Sequence, residues 1–470
     1  LVLQPGLLTS AELRFGAVGY EGSHRRSWTV VWTDHDAAVA AGYRVDAQRW
    51  RVLFDDLMLT VGQRFRRPEP RRRVRDFVRG LLAPLPRKNC WTIAEHAGDT
   101  GPDGMQDLLT RVRWDDAQVR ADVRAFVGHH LGDAEAVLVI DETGDLKKGR
   151  HTVGVQRQYS GTAGKIENCQ VAVHLVYATD ARHAMLDTAL YLPKSWCDDA
   201  ERRTEAGVPE QVRFATKPQL ASRMIAAAVT AGLPCRWVAG DEAYGNDPRL
   251  SARLRQLRLG YVLAVACSHQ VITGLGVSRV DALAAGLPAT AWQRVSAGRG
   301  AKGHRYYDWS FTALPHAADT HGGHHWLLIR RNRRTGELAF YHCWAPEVVP
   351  LRSLVLVAGR RWKIEESFQA AKTGLGLDQH QNRRWTSWHR WTTLAILAHA
   401  FLAAATTHRS RPDPAGLITL TINELRHLFN TLIIEPGRRR CDPLLWSVRR
   451  RRHQARAMTS HYARQALTEP

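Results

Sequence analysis

The 470-residue sequence predicts an α/β fold, a mixed sheet preceded by a helical domain and interrupted by a β-rich insertion. Three observations predict it. Short apolar runs rich in β-branched residues, at 136–141, 169–178 and 184–192, follow one another with no helical pattern between them. Beyond them the texture alternates, with helical spacing at 217–232 and 247–257 and strand-like runs at 236–241 and 260–266. From Cys267 to about Pro350, runs around Trp292, 306–311, 326–329 and 338–341 read as strands separated by Gly-rich turns. Three early strands followed by alternation fit a sheet with antiparallel and parallel parts better than an ordinary doubly wound one.

Segment 1–47 has few periodic apolar runs and reads as an extension. It begins Leu1-Val2 with no Met before Met58, which an alternative start codon or added sequence would explain. From 48 to 132 the pattern is helical, with a basic stretch at 66–75 whose prolines are expected to interrupt a helix. Residues 91–98 and 102–112 read as two short helices about a Gly-bearing turn, a helix-turn-helix-like pair whose second member could enter a major groove. Its polar face offers Gln106, Thr110 and Arg113, with Arg111 nearby, while Leu108, Leu109 and Val112 pack inward; an ordinary helical bundle is the alternative. The core is expected over 133–266 and again over 350–410, with the insertion at 267–349 between them. A basic helical region is expected at 411–470.

Net charge is +21, from 66 basic and 45 acidic residues, which favours a polyanionic partner, nucleic acid before membrane. Only nine of the basic residues are Lys, and the planar guanidinium of Arg suits phosphate contacts. The seven cysteines form no CxxC pair, which argues against a disulfide framework and a structural zinc site. No basic-then-apolar leader and no unbroken apolar stretch of about 18 residues is present, so a soluble cytoplasmic protein is expected.

Three acidic positions stand out. The run AEAVLVIDETGDLKKG (134–149) reads as a buried strand that delivers Asp141 to the sheet's edge, and RWVAGDEAYGN (236–246) does the same for Asp241. The stretch RRWKIEESFQAAK (360–372) reads as a helix on which Arg361, Glu365, Gln369 and Lys372 share a face. Singly, each has a bland reading: a strand-end turn or helix cap for the aspartates, a salt-bridged solvated face for the helix. Together, two strand-borne aspartates and a helix-borne glutamate make an all-oxygen set suited to Mg²⁺ or Mn²⁺. Two such ions, roughly 3.5–4 Å apart, serve phosphodiester chemistry.

At these residues the chain resembles the DDE transposases of bacterial insertion sequences, which have an RNase H-like catalytic core. It is most similar to the branch with a Tyr-Arg-Glu-Lys signature and a β-rich insertion. Asp141, Asp241 and Glu365 match the triad; Arg361, Glu365 and Lys372 stand at the signature spacing, and the Tyr position is Ala358. Stretches 154–170, 192–196, 214–218 and 388–391 carry further likeness, over roughly residues 50–410. The resemblance implies metal-dependent cleavage and strand transfer of double-stranded DNA, at the element's terminal inverted repeats and a target. It also implies two Mg²⁺ ions held by the triad, phosphate contacts from Arg361 and Lys372, and at least a homodimer when ends are paired. The segment before the core would recognise the terminal repeats. A Trp of the insertion would wedge beside an unstacked base, with Trp292 and Trp309 as candidates; core packing is the alternative for either. Two other readings remain: a DDE-type endonuclease without strand transfer, and an inactive DNA-binding relative.

Other signals are weaker. Lys147, Lys148 and Lys165 follow the first Asp and could neutralise DNA phosphates, though charged loops are common. Residues 160–165, SGTAGK, are too short for a phosphate loop and lack its Ser/Thr. His321, His324 and His325 sit in a Gly-rich turn without Cys partners, which reads as a solvated loop. The arginine runs 438–440 and 449–452 suit sequence-independent backbone contacts or a solvated tail.

Overall fold

The computed structural model describes residues 46–274, 276–300, 303–315, 321–407 and 420–437, and further on 442, 446, 448, 450–454, 456 and 458–460. Residues 1–45 of the expected extension, and the basic run 438–440, lie outside the described residues.

The strands are β1 (Val137–Leu146), β2 (Gln156–Ser160), β3 (Lys165–Ala178), β4 (His183–Leu190), β5 (Trp237–Gly240), β6 (Gly260–Val265), β7 (Gln270–Thr273), β8 (Gly276–Arg279), β9 (Gln293–Gly300), β10 (Gly303–Leu314), β11 (His324–Arg331) and β12 (Leu338–Ala345). One sheet runs in the order β2-β3-β1-β5-β6-β12-β11-β10-β9, with β4 paired to the second half of β3. β1 is antiparallel to β3 and parallel to β5, and β5 is parallel to β6. This is the RNase H-like mixed sheet that the sequence predicts.

Strands β9–β12 do not form a separate layer: β12 pairs antiparallel with β6, so the insertion prolongs the core sheet. Without β12, β6 would present an open apolar edge, and pairing removes that liability. Among the described residues, β7 and β8 form a small hairpin outside that sheet.

The N-terminal helices are Ala47–Gly62, Pro68–Leu82, Cys90–Ala97, Asp103–Thr110 and Asp116–Leu131. Pro68 and Pro70 begin a helix rather than interrupt one, because a proline in the first turn removes no intrahelical hydrogen bond. Asn89 and Thr92 form a capping box at the third helix, and Gly98, at φ 77°, ends it in the left-handed region and makes the turn. All five helices share one continuous core with the sheet, so 132/133 is a change of secondary structure and not a packing boundary.

The helix Trp385–Ala405 joins the layers. Every residue from Ser387 to Ala405 is buried, because the helix touches β4 on one side and the helices 68–82, 103–110 and 116–131 on the other. Among the described residues, no helix is long and apolar enough to cross a membrane.

Candidate active site

The site forms where the parallel part of the sheet stops. β1 pairs with β5 only through Val139↔Ala239, and β5 ends at Gly240. β1 itself runs on to Leu146, five residues beyond the expected end at Asp141. Asp141 therefore lies within its strand, just past the point where its parallel neighbour ends and leaves that edge open. Asp241 follows β5 directly and caps the short helix Glu242–Gly245, accepting from the Ala243 N–H at 3.0 Å. Gly245 lets that helix abut β6, since a Cβ there would meet the Ala264 carbonyl oxygen at 1.8 Å.

Glu365 arrives on the helix Trp362–Gln369, which lies over β1, β3 and β4. The helix before it, Leu351–Arg360, rests on β9 through Gly359, where a Cβ would come within 2.0 Å of the Ala297 carbonyl oxygen. Arg305 clamps this junction by donating to the carbonyls of Ala297 and Gly359, at 3.1 and 2.9 Å. The Glu helix then loosens into a π-helical turn, Ala370–Gly374, which carries Lys372. Such turns concentrate at functional sites.

Strand alternation sorts the carboxylates. Asp141, Thr143 and Asp145 project to one face of β1, and Glu142 to the other. On the first face, Arg361 bridges Asp141 and Glu365, with one nitrogen 3.2 Å from each carboxylate. Lys372 donates to the Thr143 hydroxyl at 2.7 Å and lies 3.6 Å from Asp145. On the second face, Glu142 is held by Lys217 at 2.6 Å and by the Tyr244 hydroxyl at 2.7 Å. Glu366 turns away from Glu365, toward Lys363 at 2.8 Å and His183 at 3.4 Å, and these partners hold it down at about 2 against the cost of burial. Asp145 faces the buried His380 at 3.5 Å. Three of the four nearby carboxylates are thus engaged elsewhere, and the fourth, Glu242, is exposed.

The remaining three are short of positive charge. Burial and then the charge of Asp241 push Asp141 up to about 7, with Arg361 pulling the other way. Burial also raises Asp241, with Glu142 adding to it, and raises Glu365 against the pull of Arg361 and Arg305. The oxygen donors and their shared excess of negative charge fit a divalent cation in kind. Among the described residues, no three His, Cys, Asp or Glu side chains stand close enough to enclose an ion as they are. Arg361, and not open space, separates Asp141 from Glu365.

The other expected residues fall in varied places. Trp309 is a correction: it is 1% exposed, packs near Tyr341 and donates its indole N–H to the Val295 carbonyl, so it is a core side chain and not a platform presented to DNA. Trp292 is half-buried beneath the Arg331 guanidinium, 4.1 Å from its ring. Lys147 turns inward toward the His380 carbonyl, at 3.4 Å, and burial lowers its ammonium. Lys148 is exposed, and Lys165 lies exposed at the turn joining β2 and β3, paired with Glu167 at 3.0 Å. Residues 160–165 are thereby a hairpin turn. His324 and His325 belong to β11 and not to a solvated loop, and His325 lies 3.2 Å from His342 on β12. Gln106 and Arg111 are exposed beside the helix Asp103–Thr110, with Arg111 3.4 Å from Asp107. Met105, Leu108 and Leu109 pack inward from that helix.

Sequence reasoning missed Lys217, Tyr244 and Arg305 as the groups that hold the site. Lys217 and Tyr244 stand in quoted stretches, but only the tertiary fold brings them to Glu142.

Residues 60–293 match the family of DDE superfamily endonucleases. That segment contains Asp141 and Asp241; Glu365 lies beyond it. Over 193 residues the chain is 31% identical to a protein of Microchaete diplosiphon named a probable transposase for insertion sequence element IS701, a match covering 41% of this chain and 48% of the relative. The chain thus spans about half the length of the curated relative it matches.

Proposed function

This chain belongs to the DDE superfamily endonucleases, and on that premise we propose that it is an insertion-sequence transposase. It would cut double-stranded DNA at the element's terminal inverted repeats and join the freed ends to target DNA. The observation that carries the reading is the sorting of carboxylates. Arg361 bridges Asp141 and Glu365, and Asp241 follows β5 at the carboxyl end of the parallel strands, near enough for its charge to raise Asp141, while Glu142, Asp145 and Glu366 are engaged with other partners.

Asp141, Asp241 and Glu365 would hold Mg²⁺, or Mn²⁺ in its place, and a pair of ions there supplies activation of the attacking oxygen and stabilisation of the leaving one. Closing the three carboxylates together requires Arg361 to leave its bridge. Its guanidinium is then free to grip a phosphate oxygen beside the scissile bond. Lys372, fixed by Thr143 two residues beyond Asp141, supplies a second positive charge on the same face. No side-chain nucleophile is needed, because the attacking group is water for nicking and the freed 3′-hydroxyl for joining. Two ends must be held together, so the active form is a homodimer or larger.

The test is strand transfer with pre-cut ends. Incubated with Mg²⁺, end DNA bearing a free 3′-hydroxyl and a target plasmid, the protein is expected to link the two, and Asp141→Ala is expected not to. Cleavage of intact ends without any joined product would make the protein an endonuclease and overturn the transposase reading.

A further inference from the structure

The chain's last described segment does not trail into solvent. Residues 446, 448, 450–454, 456 and 458–460 are helical, and Trp446 is fully buried. Its indole N–H donates to the Asp99 carbonyl at 3.0 Å, in the turn between the helices Cys90–Ala97 and Asp103–Thr110. Trp446 meets Trp91 edge-on, with ring centroids 6.1 Å apart. One turn on, Arg450 pairs with Glu95 at 2.6 Å, and one further turn on, His453 lies 4.7 Å from the Trp91 ring. Positions 446, 450 and 453 follow the i, i+4, i+7 spacing of one helical face. That face is seated on the first helix of the helix-turn-helix-like pair.

The same spacing decides what the other face shows. Arg451, Arg452 and Arg456 are exposed, and Arg452 and Arg456 stand one turn apart on a common stripe. The docked face consumes Arg450 in an ion pair and leaves these three with water. The helix Asp103–Thr110 offers exposed Gln106 and Thr110 but also exposed Asp103, and of the arginines just beyond it Arg111 is paired with Asp107 and Arg113 is exposed, so its own positive charge is small. Basic residues supplied from elsewhere would add to it.

We propose that the C-terminal helix is a built-in part of the helix-turn-helix unit, docked by Trp446, and that Arg451, Arg452 and Arg456 grip backbone phosphates of duplex DNA beside the segment which that unit reads. The inference rests on the proposed function, because it takes DNA as the partner. Contacts of this kind carry no sequence information; they add affinity and fix the register of the reading helix.

The test is a fluorescence-anisotropy titration of the full chain without divalent metal, on end DNA and on an unrelated duplex of equal length, across a salt series. Arg451→Gln/Arg452→Gln/Arg456→Gln is expected to weaken binding to both duplexes by a similar factor of at least about tenfold. It should also lower the slope of log affinity against log salt by about two to three, since each lost phosphate contact removes about 0.9. Trp446→Ala, which unseats the helix, is expected to move both quantities the same way while cleavage chemistry on pre-bound DNA persists. Wild-type binding with an unchanged slope in the triple variant would overturn the inference and leave the proposed function standing. A loss confined to end DNA would also overturn it, because it would assign these arginines to base reading. Absence of any DNA binding by the wild type would overturn the proposed function itself.

Discussion

Arg361 is the residue on which the site turns. It bridges two partly exposed carboxylates with one planar group, the position that positive charge must occupy there. Arg361→Ala is therefore expected to lower thermal stability in chelator-treated buffer by about 1 kcal/mol or less, since the pair is partly exposed. It should also enlarge the stabilisation gained on adding Mg²⁺, read by differential scanning fluorimetry with and without the ion. An unchanged Mg²⁺ response would separate Arg361 from cation binding. The residue scale is also where the sequence was most legible. Asp141, Asp241, Glu365, Arg361 and Lys372 all reach one face of β1 or its edge. The failure at this scale was Trp309. Its run, YYDWSF, has no clean polar/apolar alternation, so nothing in it shows which face of β10 turns inward.

Among elements, the two-helix unit that carries Glu365 is placed by glycine contacts. Gly359 sits against the backbone of β9, so Gly359→Ala must push the helix Leu351–Arg360 off the insertion. A cost of about 1–3 kcal/mol is expected, the usual scale of overpacking, together with a fall in cleavage that exceeds the stability loss because Glu365 moves with the helix. Melting temperature and single-turnover cleavage, measured on the same preparation, check both halves. Cleavage at the wild-type rate would show that the insertion does not position the glutamate. This dependence was hidden in the sequence. The strands of the insertion were visible from their aromatic runs, but their continuation of the core sheet through β12 and β6 joins residues about 80 apart, and no local pattern encodes that pairing. The extra length of β1 was hidden for a related reason: Glu142 to Asp145 are polar or turn-like, and antiparallel pairing with β3 keeps them extended.

At the scale of the whole molecule, the helix Trp385–Ala405 and the sheet bury imidazoles that cannot take up protons. Burial holds His174, His342 and His399 down to about 3. The Met185 N–H donates to His399 Nδ1 at 3.3 Å, which requires that nitrogen to be unprotonated. Because these values lie below the ordinary 6.5, the unfolded chain gains protons that the native one refuses as pH falls from 6.5 toward 3. Stability present above pH 6.5 is thus lost on acidification, by up to about 2 kcal/mol per imidazole at pH 5. Asp141, raised to about 7, and the raised Asp187, Asp241 and Glu365 act in the opposite direction, while His389, held at about 4, and the lowered His183, His269 and His380 add to the loss. The melting temperature is expected to fall between pH 6.5 and 5; a rise would mean that the imidazoles are not buried as described. The sequence does not show that helices 47–131 share the core of the helix Trp385–Ala405, because spacing shows that a face is apolar and not what covers it.

The central claim is that three particular carboxylates, and not their neighbours, carry DNA cleavage. The most direct measurement compares Glu365→Gln with Glu366→Gln for Mg²⁺-dependent cutting at the element boundary, both variants first shown to bind end DNA like the wild type. Glu365→Gln is expected to lose cleavage by about 10²–10³-fold or more, the scale of removing one charged group from a catalytic centre. Glu366→Gln, which gives up only its contacts with Lys363 and His183, is expected to stay within about tenfold of wild type, since loss of a positioning contact is the smaller effect. Active Glu365→Gln beside inactive Glu366→Gln would contradict the claim.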